Sequence, residues 1–154
     1  MTIDSSMDPH RQRIRVQGDW TFLIEPEFEL IDNGDSYQAH KGGRVVYVSS
    51  IRVTDDHGRR VPAEALLAGA AQSLGTGKRI NFSESNVHGE AEIKPSETGS
   101  QLMGFMCAPG TVATCVIDFE EEKDVHWATS TWRSLRFEPA NDIDKAQKPW
   151  WRFW

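Results

Sequence analysis

The chain has 154 residues and a net charge of -6, with 38% hydrophobic and 26% charged residues. That length lets one domain bury a core without metal or disulfide staples, and the composition excludes wholesale disorder. The acidic balance argues against nucleic acid, no run approaches the ~20 apolar residues of a membrane span, and MTIDSSMDPHRQRIRV lacks the apolar centre of a signal peptide, so the expected location is cytoplasmic.

Residues 1–13 are polar and aperiodic and read as a loose leader, whose HRQRIR cluster is the one basic run; a single domain is expected over 14–138. IRVQGDWTFLIEPEFEL alternates as strands do, with a turn at Gly18-Asp19 and an interruption at Pro26, predicting an early hairpin or bent strand. Turn signals NGD and KGG flank SYQAH, and RVVYVSSIRV then forms the strongest strand pattern in the chain. Val45, Tyr47, Ser49, Ile51 and Val53 fall on one side of it and Val46, Val48 and Ser50 on the other, which predicts cover on both faces of the sheet.

TDDHGRR is a polar loop, and VPAEALLAGAAQSLG predicts a helix with Pro62 at its first position, Gly75 at its stop, and Ala63, Leu66, Leu67, Ala70 and Leu74 on one stripe. Strand character returns over residues 86–93 and closes at Pro95 and Gly99. QLMGFMC, the turn APGT and VATCVIDFE predict a hairpin in which Ala108 pairs with Thr111, so that Cys107 and Cys115 point to opposite faces as free thiols. EEEKDVHWATSTWRSLRF reads as a second helix, with Asp124 as N-cap and Val125, Ala128, Trp132 and Leu135 inward. Two helices and one mostly antiparallel sheet with two apolar faces make an α+β, three-layer α/β/α sandwich.

The opening FLIEPEFEL strand, the GGRVVYVSSIRV strand, the middle helix, the long hairpin and a last helix running into WRSLRF resemble the PsbP-like superfamily of α/β/α sandwiches. That superfamily includes a photosystem subunit, a Ran-binding nuclear import factor, the DcrB lipoprotein and bacterial chaperones of secreted toxins. The likeness lies in hydrophobic pattern over residues 14–138 and implies a protein-binding role without catalytic positions to transfer. Its cytosolic bacterial branch, the effector chaperones, is the nearest analogy.

No HExxH or Cys/His zinc spacing occurs among the five histidines, so neither a metal nor a cofactor is expected. HGEAE would place His88, Glu90 and Glu92 on one side of a strand, where a solvated face with Ala91 and Ile93 turned inward is the favoured reading over metal ligation. Cys107 or Cys115 beside His126 would make a nucleophile pair, but both sit in apolar strand contexts that suit inert core thiols. SLGTGKRI fails the Walker pattern at Gln72 and Arg79, and DFEEEKD suits a solvated helix start.

Residues 139–154 form a polar connector, PANDIDKAQ, followed by KPWWRFW. Aromatic side chains of this size bury roughly 150–250 Å² each, so Trp150, Trp151, Phe153 and Trp154 need a cover. The body of the protein, a partner or second copy, and, with least support, a membrane surface are the three options. Trp150, Trp151, Arg152, Phe153 and Trp154 are the predicted partner-binding residues. The leading expectation is a non-enzymatic protein-binding module whose partner is another protein, such as a secreted effector or toxin, or a second copy of the chain. The alternative is a small enzyme or small-ligand-binding protein with a pocket between sheet and helix, served by His88, Glu90 and Cys107.

Overall fold

The computed structural model describes residues 10–16 and 19–139. Strands β1 (Gln12–Val16) and β2 (Trp20–Ile24) form the early hairpin, two residues ahead of the expected start at Ile14. Strands β3 (Glu29–Asp32), β4 (Ser36–Lys41) and β5 (Arg44–Arg52) then form a meander through the NGD and KGG turns, where Gly34 and Gly42 take positive φ. Helix α1 (Ala63–Ala70) follows, with Pro62 one place ahead of the predicted position, at the N-cap.

Four long strands come next: β6 (Lys78–Glu84), β7 (Val87–Ser96), β8 (Gly99–Ala108) and β9 (Thr111–Phe119). Helix α2 (Val125–Arg133) and the short β10 (Arg136–Phe137) close the described chain. The fold is α+β, dominated by antiparallel sheet with two short helices.

The strands divide into two sheets, not one. Seven strands lie in the order β3-β4-β5-β9-β8-β7-β6, and a separate three-stranded sheet has the order β1-β2-β10. The small sheet exists because the last helix stops earlier than its apolar stripe suggests. Ser134 caps α2, and Arg136 and Phe137 then pair with Thr21 and Trp20. Buried Ser134 also joins helix to hairpin: its Oγ accepts from Leu23 N at 2.8 Å and donates to Thr131 O at 2.6 Å.

The β8–β9 hairpin has the register expected from APGT, with Ala108 opposite Thr111, Cys107 opposite Val112 and Gly104 opposite Cys115. The two cysteines therefore lie on opposite faces, free and buried. Residues 86–93, in contrast, are not a lone strand but part of a second hairpin, β6–β7, joined by Ser85-Asn86 with Ser85 at φ 54°. Pro95 lies inside β7, opposite Ser100, but beyond the last β6 pair at Ile93, so its missing N–H faces a side where β6 has already ended.

On one face of the seven-stranded sheet, Ala63 and Leu74 with Leu66, Leu67 and Ala70 pack on Phe105, Cys107 and Val112, the stripe the sequence predicts. The opposite face carries the larger core, where α2 and β2 cover Val46, Val48, Leu102, Met106, Cys115, Ile117 and Phe119. Trp132 is wholly buried there, over two glycines. A Cβ at Gly104 would collide with Trp132 Nε1, and one at Gly89 would lie 3.0 Å from Trp132 Cζ2 and 2.6 Å from Met106 Sδ.

Asp124 is the residue before α2, as expected, but its carboxylate makes no cap hydrogen bond. It receives Arg44 instead, at 2.7 and 3.2 Å, and the Arg44 guanidinium lies 4.8 Å from the centre of the Trp127 ring. Trp127 in turn stacks on Phe28 at 5.7 Å and donates to the Glu25 carboxylate. The helix start is thus held by ionic and aromatic contacts to β5 and to the loop after β2.

Since the glycines make room for the indole, adding one methyl at either should force the helix off the sheet. Gly104→Ala is expected to lose about 1–3 kcal/mol of stability in urea unfolding, whereas the control Gly69→Ala, on an open helix surface, should gain up to about 1 kcal/mol.

Candidate functional site

Pairing across the sheet places His88 opposite Cys107, and Glu90 opposite Phe105, on the face that carries α1. The three residues of the small-enzyme reading are therefore neighbours, yet they are not equivalent. Cys107 is fully buried among α1 side chains, and burial pushes its thiol up to about 11; Cys115, in the other core, is pushed up to about 12. Thiols so raised are protonated at neutral pH and poor nucleophiles. Glu90 is paired with Arg79 at 3.1 Å.

His88 has two partners that sequence order did not reveal. Ser83 Oγ lies 2.9 Å from its Nδ1, and Glu64 Oε1 of α1 lies 3.1 Å from its Nε2. The three come from β6, β7 and α1 and make a hydroxyl–imidazole–carboxylate chain at the exposed edge of the helix. The Ser-His-carboxylate order has the form of an activated nucleophile. Glu64 is 71% exposed, however, and the larger described cleft does not include these three residues.

Glu92, expected on a solvated face, is 1% exposed. Its side chain shares the α1 face with His88 and Glu90, but the chain after the helix folds over it, and Gly77 N–H donates to Oε2 at 2.6 Å. Hydrogen bonds from the backbone of Gly77 and Gly75 hold this carboxyl below its ordinary pKa, although burial opposes the shift. The glycines of SLGTGKRI do cradle an anion, as glycine-rich loops can, but the anion is the protein's own. A Cβ at Gly77 would lie 2.6 Å from Ile93 O and 2.8 Å from Glu92 Cγ, which explains glycine there.

A cleft of about 880 Å³ lies between the β6–β7 turn and the end of α2. Phe82, Val87, Leu135 and Phe137 supply apolar walls, and Glu84, His126, Arg133 and Arg136 bring mixed charge. Among the described residues, no three His, Cys, Asp or Glu side chains are grouped as metal ligands, and no helix is long and apolar enough to cross a membrane.

The largest departure from the sequence reading lies at β5. Val46 and Val48 are buried as predicted, but the other side of the strand is open, with Tyr47 42% and Ile51 63% exposed. Helix α1 makes its main sheet contacts with β7, β8 and β9. Eight helical residues span about 12 Å and a helix is about 10–12 Å wide, whereas seven strands spread over roughly 29 Å, so α1 leaves about half the face without helical cover among the described residues.

The pairing gives this open half a defined pattern. Ile31, Gln38, Tyr47 and Val116 form one row across β3, β4, β5 and β9, ending at Met103 beside α1. The next row is polar apart from Val45, with His40 3.3 Å from Glu29 and Gln101 donating to Asp118 at 3.0 Å. Ile31 is 40% exposed, so three large apolar side chains lie on this side of the sheet without cover among the described residues. The predicted partner-binding residues Trp150, Trp151, Arg152, Phe153 and Trp154 lie outside the described residues.

No family model and no curated protein matches the chain. Among solved structures, the chain is similar to a protein from Bacteroides thetaiotaomicron VPI-5482, in a 1.50 Å crystal structure, with a TM-score of 0.50 and 7% identity. The match covers 77% of this chain and 45% of that one, so the chain spans under half the length of its neighbour. The similarity is one of fold alone.

Two outcomes test these assignments. Because Glu92 titrates lower when folded than when unfolded, its contribution is complete above the unfolded carboxyl range and disappears as pH falls through the folded value; Glu92→Gln should lower the thermal midpoint at pH 7 and narrow the difference from wild type toward pH 3. Cys107 and Cys115 should react with a thiol reagent at the rate of unfolding, measured with and without urea, and not at the rate of an exposed cysteine.

Proposed function

We propose that this chain is a non-enzymatic, cytoplasmic protein-binding module, an adaptor, effector chaperone or immunity-type factor on a three-layer PsbP-like frame. The observation that carries the proposal is the half-covered sheet, with Ile31, Tyr47 and Ile51 exposed on the side where α1 forms a wall. Apolar groups left open beside a polar row offer a partner both area and register. A net charge of -6 turns nucleic acid away from this role. Another protein, a secreted effector or toxin among the candidates, is the occupant this chemistry suits.

A second reading, a small enzyme or small-ligand binder, draws on the chain from Ser83 through His88 to Glu64. Hydrolysis of a p-nitrophenyl ester distinguishes it: turnover that vanishes in both Ser83→Ala and His88→Ala would establish a hydrolase, and turnover unchanged in both would dismiss it.

The binding reading is tested by affinity capture from the native host with wild type and with a Tyr47→Glu/Ile51→Glu variant. The expected result is a specific protein retained by wild type and lost by the variant, whose thermal midpoint stays within a few degrees because both side chains are exposed. A chain stopped after Ala146 separates any contribution of the aromatic tail. Identical captures by wild type and the double variant would remove the sheet face from the function.

A further inference from the structure

We propose that the outer edge of β6 is a self-association surface, on which a second copy of this chain adds its own β6 antiparallel about a two-fold axis through Asn81. This surface is separate from the sheet face assigned to a partner protein, so either can fail without the other. The two edges of the seven-stranded sheet are β3 and β6. The β3 edge has four residues, a length that blunts pairing; β6 has seven, with no proline in KRINFSE. Among the described residues no strand pairs with its outer side.

The hairpin parity shows which backbone groups are free. Ser85 and Asn86 form a two-residue loop, so Glu84 and Val87 are the closing, mutually bonded pair. By alternation Phe82, Ile80 and Lys78 turn their backbone groups toward β7, while Ser83, Asn81 and Arg79 present theirs outward. An axis through Asn81 matches these outward groups to one another, Asn81 with the partner's Asn81 and Arg79 with the partner's Ser83.

The side chains select the same register. On the α2 side, Lys78 meets the partner's Glu84, and Ile80 meets the partner's Phe82. Lys78 and Glu84 are both exposed, and neither forms an ion pair among the described residues. Ile80 and Phe82 are partly buried at the margin of the larger core. Sliding by two residues either way would set Lys78 against Phe82 or Ile80 against Glu84, and sliding by one would turn outward-facing backbone groups against inward-facing ones. The sequence of β6 thus complements itself in one antiparallel alignment. Phe82 also lines the cleft beside α2, so pairing would extend the apolar floor of that cleft with the partner's Ile80.

Sedimentation over a concentration series tests the proposal with the full chain. Wild type is expected to reach twice its 17.4 kDa mass. Asn81→Pro removes an outward donor without touching the β7 ladder and should weaken the dimer by roughly tenfold or more while its thermal midpoint holds. Lys78→Glu and Glu84→Lys should each weaken it, and the two together should restore it, a rescue that depends on register and not on folding. A chain that stays monomeric, a dimer indifferent to Asn81→Pro, or single charge reversals that the double variant does not rescue would overturn the proposal, as would a dimer lost only when the chain is stopped after Ala146.

Discussion

The seat of Trp132 on the seven-stranded sheet is the contact on which the rest of the architecture depends. An indole with no exposure needs a recess, and Gly89 and Gly104 on neighbouring strands provide it by having no side chain to contest the space. With the helix at that height, Ala128 also reaches the core, Ser134 meets the backbone of β2, and the chain leaves α2 at the place where two residues can extend the small sheet. Trp20, on β2, then donates its indole N–H to Thr111 Oγ1 at the start of β9 at 2.9 Å, fixing the small sheet to the large one. Arg52 bound to Asp19 at 2.8 Å adds a second tie beside it. The Trp132 N–H itself has no hydrogen-bond partner among the described residues, an energetic cost of close packing against the glycines.

The other face is governed by shortage. One helix of eight residues cannot cover seven strands, and both ends of the polar loop over residues 53–62 are tied to the β8–β9 turn, where Val53 N donates to Gly110 O at 2.8 Å and Gly110 N to Val61 O at 2.9 Å. The helix therefore gathers over β7–β9, where Phe105, Cys107 and Val112 give it a firm contact, and leaves β3–β5 open. That asymmetry creates a wall and a floor from ordinary secondary structure. It also accounts for the mixture of residue types on the open rows, where isolated apolar side chains alternate with His40, Gln38 and Ser49 instead of forming a continuous greasy surface.

Charge in this molecule serves assembly more visibly than chemistry. Glu92 is enclosed by the loop after α1 and gathers its amides, Asp124 takes Arg44 beside an aromatic stack, and Arg11 reaches Glu25 and the end of α2 through Ser130 and Thr131. Each joins elements distant in sequence. Removing one member would leave its partner buried or half-buried without compensation, so such pairs define which elements must meet more than they add net stability.

Much of the frame was legible in the residues. The β5 run, the α1 stripe from Ala63 to Leu74 and the β8–β9 register follow from spacing and one Pro-Gly turn, because each is decided within about a dozen neighbouring positions. The β6–β7 hairpin escaped because its turn is Ser85-Asn86, with no glycine to mark the positive φ that Ser85 adopts. Of the candidate site, the common face of His88, Glu90 and Glu92 could be read from alternation, whereas the meeting of His88 with Ser83 and Glu64, the burial of Glu92 and the open half of the sheet could not. Periodicity alone assigns most segments to strand or helix and marks the apolar side of each, β6 and β10 excepted. The division of the ten described strands into two sheets, and the seating of one helix chiefly over three strands of seven, come from packing in three dimensions, because both depend on the relative size of surfaces brought together from opposite ends of the chain.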